Sequence, residues 1–269
     1  MARQELRGRQ RPVLWTLPGI LCLLACWEGG ARFFGSSLLL PGPMQVADEF
    51  LALIRTERFL YALFSSFLRV LAGVAIAAPL GILAGIAAGL DKRAGFFLKP
   101  LFTVISATPV MSVILIAFLW FGQERTPVFT AFLMVFPVMA ANTIAGVRGV
   151  DAGHKELFAV YRIPPGGALL NLYLPAILPF ILGGLMSSLS LCWKVVVAAE
   201  VLVQPLSALG TGMQNAKARL ETPELFAWTA AAVIAAALSQ TLVTAFLRFV
   251  RKAIPRTGKS REPGGSRRP

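Results

Sequence analysis

One polar stretch interrupts the apolar middle of the chain: residues 148–175 read RGVDAGHKELFAVYRIPPGGALLNLYLP. Asp151 is a suitable cap for a short helix over residues 155–161. Residues 163–167, IPPGG, then break that helix, because proline lacks an N–H and glycine loosens the backbone. A second short helix is predicted over residues 168–173. The stretch therefore predicts a rigid helix–break–helix bracket that a partner in the aqueous phase could grip.

The composition on either side of this bracket is that of a membrane protein. Hydrophobic residues make up 56% of the chain, charged residues only 14%, and the mean hydropathy is +0.69. A chain with this composition has too few polar residues to cover its surface in water. The bilayer is therefore its expected solvent. The net charge is +13, but the basic residues lie mostly at the ends and in two loops. This distribution indicates membrane topology, because a nucleic-acid site needs basic residues on one folded surface.

Six apolar segments are each close to the length of about 20 residues that crosses a bilayer core. Helices are the only spanning structure other than a closed barrel, because the bilayer core offers no water to backbone groups. The sequence therefore predicts an all-α membrane protein with six transmembrane helices. The predicted spans are residues 12–31, 70–90, 100–122, 126–147, 172–193 and 225–247, with a surface helix at 44–56, a tight turn at 123–125 and a polar excursion at 200–224.

These segments divide the chain into three parts. A basic amino-terminal segment, residues 1–11, precedes a membrane domain at residues 12–250. The core of that domain is expected from about residue 60 to 250, and its central loop covers residues 148–173. Residues 251–269 form a basic tail that is expected to be disordered beside anionic headgroups.

The basic residues predict which side each loop occupies. Cytoplasmic loops carry an excess of Lys and Arg. With both termini inside, as six spans require, eighteen basic residues lie inside and six lie outside. This orientation puts the central bracket in the cytoplasm, where ATP is found. The inner group has four residues at the amino end, three in residues 91–99, three in residues 148–162 and eight from Arg248 onward; the outer group is Arg32, Arg55, Arg58, Arg125, Lys217 and Arg219.

Small residues recur along the second span. Ala77, Gly81, Gly85 and Gly89 are spaced by four, so they share one helical face. Small residues at that spacing allow another helix to approach closely in lipid. This face is predicted to be a helix–helix contact.

Three charged residues lie in or beside apolar segments. Arg69 is interpreted as an anchor at the outer end of the second span. Lys194 and Glu200 follow the fifth span, and such charges tend to face a cavity because a charge at mid-bilayer costs roughly 2.5–3.5 kcal/mol. They are about 240° apart around a helix, so they do not share a face. One interpretation is that Lys194 and Glu200 contact a translocation pathway. The other is that they snorkel to the interface or pair with another helix.

No catalytic constellation appears in the sequence. Residues 256–260, RTGKS, end like a phosphate-binding loop, but Ala253 stands where the pattern needs Gly. The only histidine, His154, has no second ligand or nucleophile nearby, and the three cysteines have no metal or disulfide spacing. The chain is therefore predicted to be no enzyme, to bind no metal or cofactor, and to leave any ATP hydrolysis to a partner.

The central bracket resembles the cytoplasmic loop of permease subunits of ABC-type importers, in which Glu-Ala-Ala is followed by Gly and then by Leu-Pro. Glu156 precedes Leu174 by 18 residues, which matches the family spacing. The resemblance covers roughly residues 41–247 and favours the branch that handles nitrate, sulfonates and taurine. Further similar residues are Pro179, Gly183-Gly184-Leu185, Trp193-Lys194 and Ala198-Ala199-Glu200.

The bracket departs from that family pattern at two places. Leu157-Phe158 replaces Ala-Ala, and Arg162 stands at the expected Gly. The bend is therefore expected at Gly166-Gly167. Glu156 is expected in the first turn of its helix, where a carboxylate favours the helix dipole.

The resemblance implies a MetI-like type I fold with both termini cytoplasmic, in a bacterial inner membrane. It implies a homodimer that lines a pathway for a small solute such as a sulfonate, nitrate or taurine. Cytoplasmic ATPase subunits, which use ATP and Mg²⁺, would hold the loop, and an extracytoplasmic solute-binding protein would deliver the solute. The implied ATPase-coupling residues are Lys155, Glu156, Leu157, Phe158, Ala159, Tyr161, Arg162 and Gly166.

A secondary transporter or channel is the alternative from another class. Such proteins usually show inverted repeats and intramembrane ionisable residues that couple ions. The sequence shows no repeat, and its spans are poor in charge. A membrane-embedded enzyme is third, and the lack of clustered His, Asp or Glu weighs against it.

Overall fold

The computed structural model describes the backbone of residues 11–253, with the side chains of residues 18–158, 160–164 and 166–245. Most of the two predicted terminal segments, at residues 1–11 and 251–269, lies outside the described residues. Within residues 11–253 the chain is entirely helical apart from its connections. The elements are α1 (Arg11–Phe34), α2 (Pro43–Leu53), α3 (Glu57–Leu90), α4 (Lys92–Ala107), α5 (Val110–Arg148), α6 (Ala152–Val160), α7 (Pro165–Ala168), a π-helical turn (Leu169–Tyr173), α8 (Leu174–Val203), α9 (Leu209–Ala218) and α10 (Thr222–Ala253).

Among the described residues, four helical segments are long and apolar enough to cross a membrane. α1 and α4 are not among these four segments. The side chains of α1 are described only from residue 18, and α4 has only 16 residues. The four segments are Glu57–Leu90, Val110–Arg148, Gly166–Val203 and Thr222–Ala245.

α3 and the second half of α5 pack in parallel. For four glycines of α3, the shortest contact reaches a residue 58 positions further along the chain. A constant offset means that both helices run in the same direction. A Cβ on Gly85 would lie 2.5 Å from the Cβ of Thr143 and 2.8 Å from the carbonyl oxygen of Ala140. The backbones of α3 and α5 can approach this closely only because glycine has no side chain. The contact pairs are Gly73–Ala131, Gly81–Met139, Gly85–Thr143 and Gly89–Val147.

The parallel packing of α3 and α5 has a topological consequence. Leu90 ends α3 at one end of the pair, and residue 123 of α5 lies level with residue 65 at the other. About 25 residues of helix, or roughly 38 Å, separate those two levels. Residues 91–122 must therefore return the chain along the length of the bundle.

The predicted third span, residues 100–122, is wrong as a continuous helix. α4 ends at Ala107 and α5 begins at Val110, because Pro109 cannot continue a helix and holds Thr108 in an extended conformation. The predicted tight turn at residues 123–125 is also misplaced. The break lies at Gly122, whose φ of 69° and ψ of −174° suit only glycine, and residues 123–125 are helical.

α8 runs antiparallel to α5 and to α3. It contacts α5 through Gly184 and Asn142 at one level and through Phe180 and Gly146 at another. The fifth predicted span ends at residue 193 and the polar excursion begins at residue 200, but α8 continues as helix to Val203. The bundle interior accepts Glu200 because polar groups of other elements surround it.

The buried core lies where α3, α5, α8 and α10 meet. Trp228 of α10 and Met139 of α5 are among its largest fully buried side chains. Trp193 of α8 donates from Nε1 to the Ser239 hydroxyl of α10 at 2.8 Å. This core fixes two places along α5: its carboxyl-terminal end, which leads into the central loop, and the break at Gly122, which lies beside a buried polar network.

Candidate functional site

α6 begins at a cap formed by Asp151. The backbone N–H of His154 donates to Asp151 Oδ1 at 3.2 Å. That hydrogen bond, with the side chain of His154, lowers the pKa of the Asp151 carboxyl group, because both favour its charged form. Since α6 starts at Ala152, Glu156 lies in the second turn, one turn beyond its predicted place. The helix-dipole argument for Glu156 therefore does not apply, because the dipole acts within the first turn.

The bend after α6 lies at Arg162. Its φ is +49°, in the left-handed region, and the N–H of Ile163 donates to the carbonyl of Phe158 at 3.1 Å. This is the hydrogen bond of a Schellman motif, in which glycine is the usual residue at the left-handed position. The expectation that the bend falls on Gly166-Gly167 is wrong, because both glycines are helical. Arg162 itself adopts the left-handed conformation.

The loop exposes apolar side chains beside a carboxylate. Val160 is 77% exposed, Tyr161 is 72% exposed, and Leu157 and Glu156 are exposed as well. Val160 was not among the residues predicted from the sequence. Of the other predicted coupling residues, Arg162 and Gly166 are exposed and Lys155 and Phe158 are partly buried; the side chain of Ala159 lies outside the described residues.

Both ends of this loop are joined to long packed helices. α5 ends at Arg148, three residues before the cap of α6. On the other side, residues 166–203 form one helical run through the π-helical turn into α8. The two helices meet beside the loop, where a Cβ on Gly146 would lie 3.0 Å from the Cβ of Phe180. A displacement of the loop therefore acts directly on two core helices.

A buried polar network occupies the opposite end of the bundle. The Glu200 carboxylate, fully buried on α8, accepts the hydroxyl hydrogen bond of Ser66 at 2.8 Å and the N–H of Gly210 at 3.2 Å. Arg69 of α3 donates to the same carboxylate at 3.0 Å. The N–H of Leu209 donates to Ser66 Oγ at 3.0 Å. Four hydrogen bonds thus connect α3, α8 and the start of α9.

Arg69 extends this network to the break in α5. Its guanidinium donates to Glu124 Oε2 at 2.6 Å and to the carbonyl of Ser207 at 2.9 Å. The other oxygen of Glu124 accepts the N–H of Leu206 at 3.0 Å. The interpretation of Arg69 as an interface anchor is wrong: it lies well inside α3 and is 9% exposed. One arginine therefore fixes the α8–α9 connection to α3 and α5.

Lys194 and Glu200 lie in different surroundings on α8. Lys194 is exposed on the surface of the chain, and Glu200 is enclosed by the network. The sequence analysis identified both residues as unusual and left pairing with another helix open, but it did not identify Ser66, Arg69 and Glu124 as members of the network around Glu200. The sequence signal for this network was Arg69 itself, because an arginine inside an apolar segment usually pairs with a residue of opposite charge.

Among the described residues, no group of three or more His, Cys, Asp or Glu side chains could hold a metal ion.

The chain matches known proteins over most of its length. Residues 77–256 match the family described as binding-protein-dependent transport system inner membrane component. The chain is 30% identical over 241 residues to the putative aliphatic sulfonates transport permease protein SsuC of Bacillus subtilis, covering 88% of this chain and 84% of that relative. It is 31% identical over 227 residues to the bicarbonate transport system permease protein CmpB of Synechococcus elongatus, covering 77% of each.

A solved structure has a similar fold. It is a bacterial ABC transporter involved in the import of the acidic polysaccharide alginate. The TM-score is 0.60 at 15% identity, with 90% of this chain and 96% of the other covered. At that identity the likeness concerns the fold alone.

Proposed function

The chain belongs to the binding-protein-dependent transport system inner membrane component family, and from this premise we propose how it works as the permease of an ABC importer. The chain forms the translocation pathway, with six spans and both termini in the cytoplasm. Two copies line the pathway, in a bacterial inner membrane. Residues 91–122 connect two parallel helices, which supports a crossing at the predicted third span in addition to the four long apolar segments.

The observation that carries the proposal is the make-up of the loop between α5 and α8. It exposes Leu157, Val160 and Tyr161 beside Glu156, at the end of the bundle that the basic residues assign to the cytoplasm. Exposed apolar residues with one charge suit an anchor in a partner's socket. We propose that cytoplasmic ATPase subunits hold this loop and that they bind and hydrolyse ATP with Mg²⁺.

The proposed solute is a small anion, delivered by an extracytoplasmic solute-binding protein. Two relatives are named for aliphatic sulfonates and for bicarbonate, which share a negative charge and small size. Lys194, exposed on a core helix, supplies a positive charge for such a solute in this proposal. Glu200 contributes indirectly, by holding the α8–α9 connection.

The test is solute uptake with and without the ATPase. Vesicles carry this chain together with a candidate ATPase and solute-binding protein encoded beside it. The expected result is co-purification of the ATPase and uptake of a sulfonate or bicarbonate that needs ATP and the binding protein. Uptake that persists without the ATPase and follows an ion gradient would instead indicate a secondary transporter.

A further inference from the structure

A large cavity opens at the loop end of the bundle. It has a volume of about 1250 Å³ and lies between the carboxyl-terminal end of α3, the length of α4 and the carboxyl-terminal end of α5. A pocket for a drug-sized ligand has about 300–1,000 Å³. The cavity is therefore larger than a small anionic solute requires.

Three cations line this cavity and no carboxylate does. They are Lys92, Lys99 and Arg148. Lys92 and Lys99 are seven residues apart on α4, which puts them on one face two turns apart. Arg148 reaches the same helix, since a Cβ on Gly95 would lie 3.6 Å from its Nη2 atom. Within the described part of the chain, none of the three forms an ion pair.

The rest of the cavity wall is mainly apolar. Phe96 lies between the two lysines in sequence and is 74% exposed, and Phe102 and Ile144 line the wall further from Lys92. A small hydrated anion gains nothing from this apolar wall, because the wall offers few polar groups to replace the water that the anion would lose. A ligand with an anionic head and long apolar chains can use both parts of the site.

We propose that this cavity binds one anionic phospholipid. Its phosphate contacts Lys92, Lys99 and Arg148, and its acyl chains lie along Phe96 and Phe102. The inference rests on the proposed orientation, which puts this end of the bundle at the cytoplasmic leaflet. Basic pockets between transmembrane helices on that side suit anionic headgroups. The bound lipid would then fill the gap between α4 and its neighbours, next to the helix that ends at the loop.

The test uses the chain purified with its ATPase and placed in nanodiscs of phosphatidylglycerol and phosphatidylcholine. Lipid retained after detergent washing is identified by native mass spectrometry. We expect one phosphatidylglycerol per chain in the wild type. The triple variant Lys92→Gln, Lys99→Gln, Arg148→Gln should lose the preference for it by about 100-fold, equivalent to about 3 kcal/mol at 1.4 kcal/mol per tenfold.

Two further variants make the result specific. Arg55→Gln, Arg58→Gln, Lys217→Gln removes three exposed cations at the other end of the bundle and should retain the lipid. Ala107→Trp fills the cavity about four turns beyond Lys92 and keeps every cation, so it should exclude the lipid with topology and ATPase binding unchanged.

Several results would overturn the inference. These are equal lipid retention by the wild type and the triple variant, displacement of the lipid by millimolar inorganic phosphate or sulfonate, and cross-linking of α4 to a second copy with no lipid bound. ATPase binding is measured on the nanodiscs, and uptake is measured on the same purified variants in closed vesicles. Normal uptake with no retained lipid would refute the lipid site and leave the proposed transport function intact.

Discussion

Arg69 Nη1 lies 3.0 Å from Glu200 Oε1, although the two residues are 131 positions apart. They occupy antiparallel helices, α3 and α8, and Glu200 is fully buried. The pair is supported by Ser66 and by the backbone N–H of Gly210, so each oxygen of the carboxylate has at least two partners. Such a pair fixes one arrangement of the helices, because a shift of either helix would leave a charge without a partner.

The first prediction removes one member of this pair. Arg69→Met should destabilise the folded chain by about 3–5 kcal/mol, because Glu200 stays buried with an uncompensated charge. The double variant Arg69→Met, Glu200→Met should recover much of that loss. The measurement is thermal unfolding in detergent, followed as a double-mutant cycle.

Arg32 provides the control for Arg69. It pairs with Glu28 at 2.7 Å, but the side chains are 79% and 40% exposed. Arg32→Met should therefore cost less than about 1 kcal/mol. Equal stability of Arg69→Met and Arg32→Met would show that the buried pair does not hold the helices together.

The second prediction concerns the contact between α3 and α5. Gly85→Leu should reduce folding and assembly, because even a Cβ would lie 2.5 Å from Thr143 and 2.8 Å from backbone at Ala140. Backbone cannot move aside as a side chain can, so the penalty should be at least the 1–3 kcal/mol or so of ordinary overpacking. Gly183→Leu on α8 is the control, since no atom lies within 4 Å of its Cβ position. Gel filtration of both variants measures the effect, and equal elution profiles and yields would contradict it.

The third prediction is the topology of the chain. A reporter that is active only in the cytoplasm should be active when fused after Lys155 or at the carboxyl terminus. It should be inactive near Arg125 or Lys217. The reason is the excess of basic residues at the loop end of the bundle. Activity at Lys217 would reject the six-span arrangement.

Local sequence patterns were sufficient to predict much of this architecture. The small-residue spacing that includes Gly81 and Gly85 lies at the α3–α5 contact, and Asp151 caps the helix of the loop. Apolar length also located the core helices, because in a bilayer the run of apolar residues is itself the physical requirement.

Contacts between distant residues could not be read in the same way. Arg69 looked like an interfacial anchor because its partners Glu124 and Glu200 are 55 and 131 positions away. The break at Thr108 was missed because membrane helices tolerate proline, so Pro109 alone did not show that the helix stops there. At Arg162 the rule that glycine takes the left-handed position failed, since the loop imposes that conformation on an arginine.

The fourth prediction concerns Lys194. It is exposed on α8 while its neighbours Trp193 and Val195 are buried. If its charge meets an anionic solute in the pathway, Lys194→Met should lower uptake at least tenfold with normal assembly and normal basal ATP hydrolysis. Lys194→Arg should retain most of the uptake because it keeps the charge. Unchanged uptake by Lys194→Met would assign the lysine to the membrane interface or to pairing with another chain.

The last prediction concerns coupling through the loop between α5 and α8. Glu156 and the exposed apolar residues of α6 form one surface, and α6 is held between two long helices that pack together at Gly146 and Phe180. We propose that Glu156 contacts a basic residue of the ATPase, so the charge reversal Glu156→Lys should replace attraction with repulsion. Phe158 is partly buried, so Phe158→Ala should loosen α6 against the rest of its own chain.

Both variants should insert normally in the membrane and should either release the ATPase or uncouple ATP hydrolysis from uptake. Glu49→Lys makes the same charge change at an exposed site on α2, and Phe33→Ala truncates an exposed phenylalanine on α1. Neither control should affect ATPase binding, because both residues lie outside the loop. Pull-down of the ATPase and solute uptake are measured in the same membranes. Because the loop is the only described segment that joins α5 to α8, wild-type binding together with wild-type uptake in both loop variants would mean that the ATPase acts on the bundle at another place.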